Sequence, residues 1–101
     1  MFVLLAHGSK HAVYQQQLNT LAKDVSVILS EPVAVATLSD ASLPKGATVL
    51  PLFLGQGKHM EQDVPQLIQA AQATMLAPLF EHSDALAALV VSELTQDSKR
   101  I

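Results

Sequence analysis

Runs of consecutive apolar residues recur along the chain and predict four β-strands. Residues 2–6 and 47–54 are strongly apolar, as expected for strands that are buried on both faces. A weaker run at 33–38 and a short run at 75–79 are the other two candidates. Proline cannot donate a hydrogen bond to a neighbouring strand, so Pro51 is unusual inside the third run. We therefore expect the strand to make its bonds before Pro51, or Pro51 to face a gap at the end of the strand.

The interval between the first two strands has the spacing of an amphipathic helix. Segment 11–30 is bounded on its far side by Pro32, which cannot continue a helix. Its apolar residues recur three or four positions apart and draw one stripe along the helix, at Tyr14, Leu18, Leu21, Val25 and Ile28. We expect this stripe to face the sheet.

Two further helices are predicted in the second half of the chain. The segment 62–74 follows the third strand, and its inward positions are Val64, Leu67, Ile68 and Ala71. A last helix is capped by Ser83 or Asp84. It carries an apolar stripe of Leu86, Leu89, Val90 and Leu94. Residues 96–101 have the composition of a frayed tail.

The alternation of strands and helices predicts the fold class. We expect an α/β fold, with a mainly parallel four-stranded sheet flanked by helices, in a single domain over residues 1–101. The link between strands two and three is short for a parallel crossover, which usually takes a dozen residues or more. Its polar part, 39–46, has room for one helical turn capped by Ser39 or Asp40, or for no helix.

Composition and charge remove several classes of function. The 101 residues carry a net charge of −3, with six Lys and Arg against nine Asp and Glu, so a basic surface for nucleic acid is not expected. The chain has no cysteine, which excludes disulfides and thiolate chemistry. No apolar run approaches the roughly 20 residues that span a bilayer. The first residues lack the basic leader of a signal peptide, and we expect a cytoplasmic protein.

Two histidines stand where ligands gather in parallel sheets, after the carboxyl ends of the strands. His7 follows strand one and His59 follows strand three. If these strands are neighbours, the two imidazoles lie on one rim and can share a divalent metal ion. Gly8, Gly55 and Gly57 leave room for a large ligand and permit positive φ. A single histidine after a strand is more often a hydrogen-bonded loop residue, so spacing alone leaves both interpretations open.

Charged and hydroxyl groups beside the histidines add to this rim. Lys10 and Lys58 each lie close to one histidine, and the amino ends of helices one and two attract anions. Glu61 lies two residues from His59 and precedes the predicted helix. Ser9 is better explained as a helix cap than as a nucleophile, because no third member of a catalytic triad is evident.

Two blocks of sequence resemble a known family. Residues 4–10, Leu-Leu-Ala-His-Gly-Ser-Lys, are similar to the opening His-Gly-Ser-Arg motif of the sirohydrochlorin cobaltochelatases and ferrochelatases, the class II tetrapyrrole chelatases. Residues 51–65 resemble the second motif of that family, which runs Pro-Leu-Phe-Leu, a glycine turn, His, three variable residues and Asp-Ile-Pro. Position by position, the resemblance implies that His7 and His59 are the metal-binding histidines.

The resemblance also implies a fold and a reaction. Members have a flavodoxin-like domain, and the small members pair as homodimers to complete a cleft. Their reaction inserts a divalent ion, Co²⁺ or Fe²⁺ with Ni²⁺ as a third option, into sirohydrochlorin for cobalamin or siroheme synthesis. The metal is a substrate, and no organic cofactor is required. One imidazole or Glu61 would accept a pyrrole proton. Contacts to the tetrapyrrole are expected from Ser9, Lys10, Gly57 and Lys58.

The chain departs from the family pattern at three places. Lys10 replaces the usual Arg and loses its bidentate fork. The link 39–46 is shortened, and Phe80 adds bulk at a turn that is small in other members. Three hypotheses therefore stand: a homodimeric chelatase, a degenerate non-catalytic metal- or tetrapyrrole-binding protein of the same fold, and a partner of a larger chelatase.

Overall fold

Strands and helices alternate along the chain, except that no helix lies in the described part of the link between the second and third strands. The structure is a computed structural model that describes residues 1–8, 11–38, 42–55 and 57–99, without the side chains of residues 59 and 97–99. In chain order its elements are β1 (Phe2–Ala6), α1 (Ala12–Leu29), β2 (Val33–Thr37), β3 (Thr48–Pro51), a π-helix (His59–Asp63), α2 (Val64–Ala70), β4 (Thr74–Met75), a 3₁₀ turn (Leu79–Glu81) and α3 (Ser83–Lys99).

The four strands form one sheet in the order β2-β1-β3-β4, and all of its pairs are parallel. The prediction of an α/β fold with a mainly parallel four-stranded sheet is confirmed. β1 lies between β2 and β3, and its residues from Val3 to Ala6 are buried. A continuous apolar run is what such a central strand requires, because both of its faces are covered.

Pro51 is the last residue of β3, as the sequence suggested. The next residue, Leu52, donates its N–H to the carbonyl of Leu5 on β1 at 2.8 Å. Alternate residues of a strand bond to opposite neighbours, so the nitrogen of Pro51 faces the β4 side. There β4 has already ended at Met75, and the missing donor of the proline costs the sheet nothing.

The second helical segment differs from its prediction at both ends. It begins at His59 with a π-helix rather than at residue 62, and α2 ends at Ala70 rather than at residue 74. Pro65 has no N–H to give to the carbonyl four residues earlier, which interrupts α-helical bonding in this first turn. Gln72, at φ 50°, turns the chain out of the helix and leaves the residues that follow free to form β4.

The link between β2 and β3 contains no helix in its described part, residues 42–46. The helical turn expected at Ser39 or Asp40 lies outside the described residues. Gly46, at φ 73°, takes the left-handed conformation that glycine favours, and its N–H donates to the carbonyl of Ala71 at 2.9 Å. The end of the link is therefore attached to the end of α2.

The hydrophobic core lies between the sheet and α2. Its largest enclosed side chains are Val3, Leu5, Val49 and Val64, each at most 1% exposed. The inward positions predicted for the second helix are confirmed, because Val64 and Ala71 are buried and Leu67 and Ile68 are half-buried. We call this side of the sheet the α2 face.

Helix α1 covers the opposite side of the sheet, which we call the α1 face. Only part of the apolar stripe predicted for this helix is buried. Its buried residues are Leu18 and Ala22, whereas Leu21 is 43% and Ile28 is 81% exposed. The inner side of the helix is thus centred nearer Ala22 than the sequence pattern indicated. Consecutive residues turn by about 100°, so a small rotation of the helix axis carries Ile28 into solvent.

Helix α3 packs chiefly against the 3₁₀ turn that precedes it. The apolar stripe predicted on it stays largely in solvent: Leu86 is half-buried, whereas Leu89, Val90 and Leu94 are between 53% and 64% exposed. The helix reaches Lys99, so it includes much of the segment treated above as a frayed tail. None of the helices in the described part of the chain is long and apolar enough to cross a membrane.

Candidate metal centre

The site begins where β1 and β3 end side by side. The two strands are parallel neighbours, and Leu5 is paired with Pro51 near their carboxyl ends. The residues that continue these strands, His7 and Phe53, consequently meet at one rim of the sheet. The adjacency on which a shared histidine site depends is therefore present.

The imidazole of His7 rests against the ring of Phe53. The ring centroids are 4.4 Å apart and the planes are inclined by 78°, the edge-to-face arrangement that aromatic rings prefer. Phe53 is only 4% exposed and belongs to the core, whereas His7 is exposed. One side of the imidazole is thus held by a rigid surface while the residue remains accessible to a ligand from solvent.

Phe53 is itself fixed from the second half of the chain. Its carbonyl accepts the N–H of Phe80 at 3.0 Å, and the Phe80 side chain packs against the same core. The bulk of Phe80 is therefore accommodated on the α2 face. The sequence did not single out Phe53 as part of the site. The signal that could have done so was its position just beyond the end of β3, next to the strand that leads to His7.

A glycine-rich turn and the π-helix follow Phe53. A Cβ added at Gly55 or Gly57 would meet no atom within 4 Å, so open space surrounds this turn. Neither glycine adopts the positive φ that the sequence permitted. The N–H of Glu61 donates to the carbonyl of Gly57 at 3.1 Å, which joins the turn to the first helical residues. π-Helices are rare and occur often at functional sites.

His59 is the first residue of this π-helix, and its side chain lies outside the described residues. The π-helix is anchored by its own Met60, 8% exposed, and by the fully buried Val64, which follows it as the first residue of α2. Between these anchors, Glu61 points outward and is exposed, as is Lys58 before the helix. Because the two buried anchors lie four residues apart, the three exposed residues between them lie on the outer surface of a helical turn whose inner side packs against the core.

The other predicted site residues, Ser9 and Lys10, lie outside the described residues. Among the side chains that the structure describes, no three His, Asp or Glu residues are grouped as a metal cage. The structure thus brings together the backbone supports of His7 and of the turn leading to His59, and it leaves Lys58 and Glu61 accessible beside them.

A groove of about 330 Å³ opens beside the π-helix, on the flank where the β2–β3 link runs. Its lining residues are Leu38, Asp63, Gln66, Leu67 and Ala70. It continues the open flank of α2, which the described part of the link does not cover with a helix. Asp63, at the end of the π-helix, gives this groove a carboxylate on the side towards the glycine turn.

Comparison with known families decides the relationship of the chain. A family model described as CbiX matches residues 1–96. The chain belongs to the CbiX family. The resemblance to the tetrapyrrole chelatases, whose specificity rests on residues 4–10 and 51–65, is thereby confirmed. The CbiX match includes both histidines, the glycine turn and most of α3.

A solved structure supports the same relationship. The chain is 26% identical to a protein from Marinobacter aquaeolei VT8 that is assigned as a cobalamin (vitamin B12) biosynthesis CbiX protein. The two structures agree with a TM-score of 0.66, over 94% of this chain and 97% of that one. No curated protein sequence matches the chain. The CbiX fold thus accommodates the arrangement of strands that positions His7 and Phe53.

Proposed function

We propose that this CbiX chain inserts a divalent metal ion, Co²⁺ or Fe²⁺, into sirohydrochlorin or a related tetrapyrrole in the cytoplasm. The product would serve cobalamin or siroheme biosynthesis. The observation that carries the proposal is the meeting of His7 with the end of β3, from which the chain turns to His59. The family match and the cobalamin assignment of the Marinobacter protein point to the same chemistry.

In this proposal His7 and His59 hold the incoming ion. Neutral imidazole binds Co²⁺, Fe²⁺ and Ni²⁺ well, and a pair of histidines leaves other coordination positions open for the ring nitrogens. The contact with Phe53 restricts the tilt of the His7 ring before the ion arrives. A ligand that is already oriented loses less freedom on binding, so the rigid strand ends favour capture of the ion.

Metal insertion also releases two pyrrole protons from the macrocycle. Glu61 is exposed two residues from His59 and is the proposed acceptor, with an imidazole as the other candidate. Ser9, Lys10, Gly57 and Lys58 are the proposed substrate contacts. The open space at Gly57 admits a large flat ring, and the ammonium of Lys58 attracts the ring's carboxylates.

Pairing of two chains belongs to the same proposal. The rim with His7 is an exposed edge rather than a closed cleft, and a tetrapyrrole needs a second wall to exclude water. A homodimer supplies that wall without another protein.

The test is metal insertion into sirohydrochlorin by the purified chain, followed through the absorption spectrum of the tetrapyrrole. Co²⁺, Fe²⁺ and Ni²⁺ are compared in parallel under anaerobic conditions, each against the spontaneous reaction. We expect the chain to accelerate at least Co²⁺ or Fe²⁺ insertion. No acceleration with any of the three ions would contradict the proposal.

Variants then assign the histidines. We expect His7→Ala and His59→Ala each to reduce the insertion rate by roughly 100-fold or more, about 2.7 kcal/mol of transition-state stabilisation. His82→Ala is the matched control, because the His82 ring bonds the Ala77 carbonyl at 2.9 Å within its own turn. Wild-type rates in both site variants would refute the assignment even if the chain is active.

The open groove beside α2 favours one second candidate, a non-catalytic carrier of the metal or the tetrapyrrole. The cleft wall on this flank is reduced, since the described part of the β2–β3 link contains no helix. Calorimetric titration with Co²⁺ and with sirohydrochlorin separates the two functions. Tight binding without acceleration of insertion would establish the carrier, and acceleration would exclude it.

A further inference from the structure

Leu54 is an exposed leucine directly beside the candidate metal centre. Its side chain is 75% exposed, whereas the preceding Phe53 is 4% exposed and contacts His7. Burial alternates along 49–54, where the odd-numbered residues are buried and the even-numbered ones are half-buried or exposed. Leu54 lies beyond the last residue of β3. The described part of the chain therefore leaves its side chain largely uncovered at the rim of the sheet.

The turn that follows Leu54 keeps the surroundings of this side chain open. Gly55 and Gly57 are exposed, and a Cβ added at either would meet no atom within 4 Å. Single exposed leucines are common on protein surfaces. Leu54 differs from the other exposed large apolar residues of the described chain in its position, because it alone lies between β3 and the π-helix.

The position of Leu54 places it under a tetrapyrrole that approaches the metal centre. In the proposed function His7 and His59 hold the ion, so the macrocycle must present the centre of its ring to these side chains. The centroids of the His7 and Phe53 rings are 4.4 Å apart, and Leu54 follows Phe53 with about 3.8 Å between their Cα atoms. A ring of four pyrroles is much wider than one imidazole, so it also covers the residue beside Phe53.

The periphery and the face of a tetrapyrrole need different contacts. The carboxylates lie at the periphery, where an ammonium such as that of Lys58 attracts them. The face is a conjugated, apolar surface that offers no charge and few hydrogen-bond partners. An exposed leucine suits the face, because water leaves both apolar surfaces when they meet.

We propose that the Leu54 side chain packs against the face of the tetrapyrrole and raises the affinity of the site for the macrocycle, not for the metal ion. The inference rests on the proposed function, since it requires a tetrapyrrole at the rim of His7. The histidines then hold the ion, Lys58 attracts the carboxylates, and Leu54 favours a flat apolar ring. A polycarboxylate without a macrocycle gains nothing from Leu54, so this residue contributes to substrate specificity.

Two substitutions at Leu54 separate apolar contact from mere bulk. Leu54→Asn introduces a polar side chain of similar size, whereas Leu54→Met keeps an apolar one. Because the side chain is already exposed, neither change should affect folding, which urea unfolding verifies. Ile28→Asn is the matched control: Ile28 is 81% exposed, and the neighbouring Leu29 lines a groove with Phe2 and Thr48, at the opposite end of the sheet.

The decisive measurement is the titration of each variant with metal-free sirohydrochlorin, followed by absorption under anaerobic conditions. We expect Leu54→Asn to raise the dissociation constant roughly 10-fold, because the leucine no longer loses its water to the ring. Leu54→Met should recover most of the affinity, and Ile28→Asn should match the wild type. In the insertion assay the same loss should appear in KM for the tetrapyrrole rather than in kcat. Affinity for Co²⁺ alone should be the same in all variants.

Salt distinguishes the contact of Leu54 from that of Lys58. Salt screens the attraction between exposed charges, so the difference between wild type and Lys58→Ala in sirohydrochlorin affinity should shrink as the salt concentration rises. The defect of Leu54→Asn should persist, because apolar contact carries no charge to screen. A Leu54→Asn defect that disappears at high salt would overturn the contact with the ring face.

Three further outcomes separate this inference from the proposed function. If Leu54→Asn binds sirohydrochlorin as the wild type does, while the wild type inserts metal, the inference is overturned and the proposed function stands. If Leu54→Asn weakens Co²⁺ binding as much as sirohydrochlorin binding, Leu54 acts through the structure of the rim, which also overturns the inference. A wild-type chain that binds Co²⁺ but no tetrapyrrole would contradict the proposed function and this inference together.

Discussion

The two faces of the sheet differ in how completely they are covered. On the α2 face, Leu5, Val49 and Val64 are less than 1% exposed. On the α1 face, Leu50 is half-buried and Leu76 is 43% exposed. The same four strands supply both faces, so the difference arises from the helices. α2 and the anchored 3₁₀ turn cover the α2 face, which we also call the closed face. α1 alone leaves part of the α1 face uncovered, and we call this the open face.

The two faces of the sheet contribute differently to the stability of the chain. Phe53 belongs to the closed face and contacts His7, so the core that stabilises the chain also orients the candidate metal ligand. The open face contributes apolar groups that a single copy leaves partly in water. The closed face thus supplies the most deeply buried side chains of the chain, whereas the open face keeps apolar groups exposed.

The largest expected effect comes from equal substitutions on the two faces. Leu5→Ala removes a fully enclosed side chain and should lower the free energy of unfolding by about 3 kcal/mol, within the range of about 2–5 for such changes. Leu76→Ala removes a side chain that is 43% exposed, and should cost about 1 kcal/mol or less. Urea unfolding measures both, at a protein concentration low enough for monomers.

Raising the protein concentration sharpens this comparison. If a second copy covers the open face, the cost of Leu76→Ala should grow as dimers form, because the lost methyl groups are then buried ones. If Leu5→Ala and Leu76→Ala lowered the free energy of unfolding equally in dilute solution, the two faces of the sheet would be equally well covered. That result would refute the comparison.

A smaller effect is expected where the closed face meets the candidate site. Phe53→Leu keeps an apolar side chain in the core but removes the ring that contacts His7. Because aromatic pairs contribute about 0.5–1.5 kcal/mol beyond their buried area, we expect Co²⁺ binding or insertion to weaken by roughly 2- to 10-fold. The measurement is Co²⁺ titration alongside the insertion rate.

Phe80→Leu is the control for this substitution, since Phe80 packs against the same core. Both variants should lose similar stability in urea, whereas the loss in metal binding should be larger for Phe53→Leu. Equal effects of the two substitutions on metal binding would mean that Phe53 acts only through the stability of the core.

The fold class was predictable because burial on both faces imposes a continuous apolar run on the central strands. β1 and β3 carry that signal, whereas their adjacency, which the sequence left as a condition, is established by the strand pairing. The position of α3 was not predictable, because its stripe shows only that one side is apolar. That pattern is the same whether the helix covers its own sheet, as in many α/β domains, or reaches a second copy.

The candidate site was predictable to the extent that it depends on strand ends. His7 and His59 each follow an apolar run, and the parallel sheet brings the ends of such runs to one rim. Phe53 was missed because an aromatic residue inside an apolar run is typical of a core residue, which Phe53 also is. The π-helix was missed because the apolar spacing of residues 60–68 also fits an ordinary α-helix.

The smallest expected effect is the relief of backbone strain at the end of one helix on each face. It should be the same on both faces, because it does not depend on how completely a face is covered. Ser30 ends α1 on the open face and Gln72 follows α2 on the closed face, with φ of 57° and 50°. Both residues are in the left-handed region, where a side chain is strained and glycine is not. Ser30→Gly and Gln72→Gly should each raise the free energy of unfolding by about 0.5–1 kcal/mol, since the strain relieved exceeds the entropy that glycine adds to the unfolded chain. The strain is local to the backbone, so urea unfolding should give similar gains. If Gln72→Gly raised the free energy of unfolding and Ser30→Gly lowered it, the end of α1 would depend on the Ser30 side chain. The two faces would then differ in how their helices end as well as in how completely they are covered.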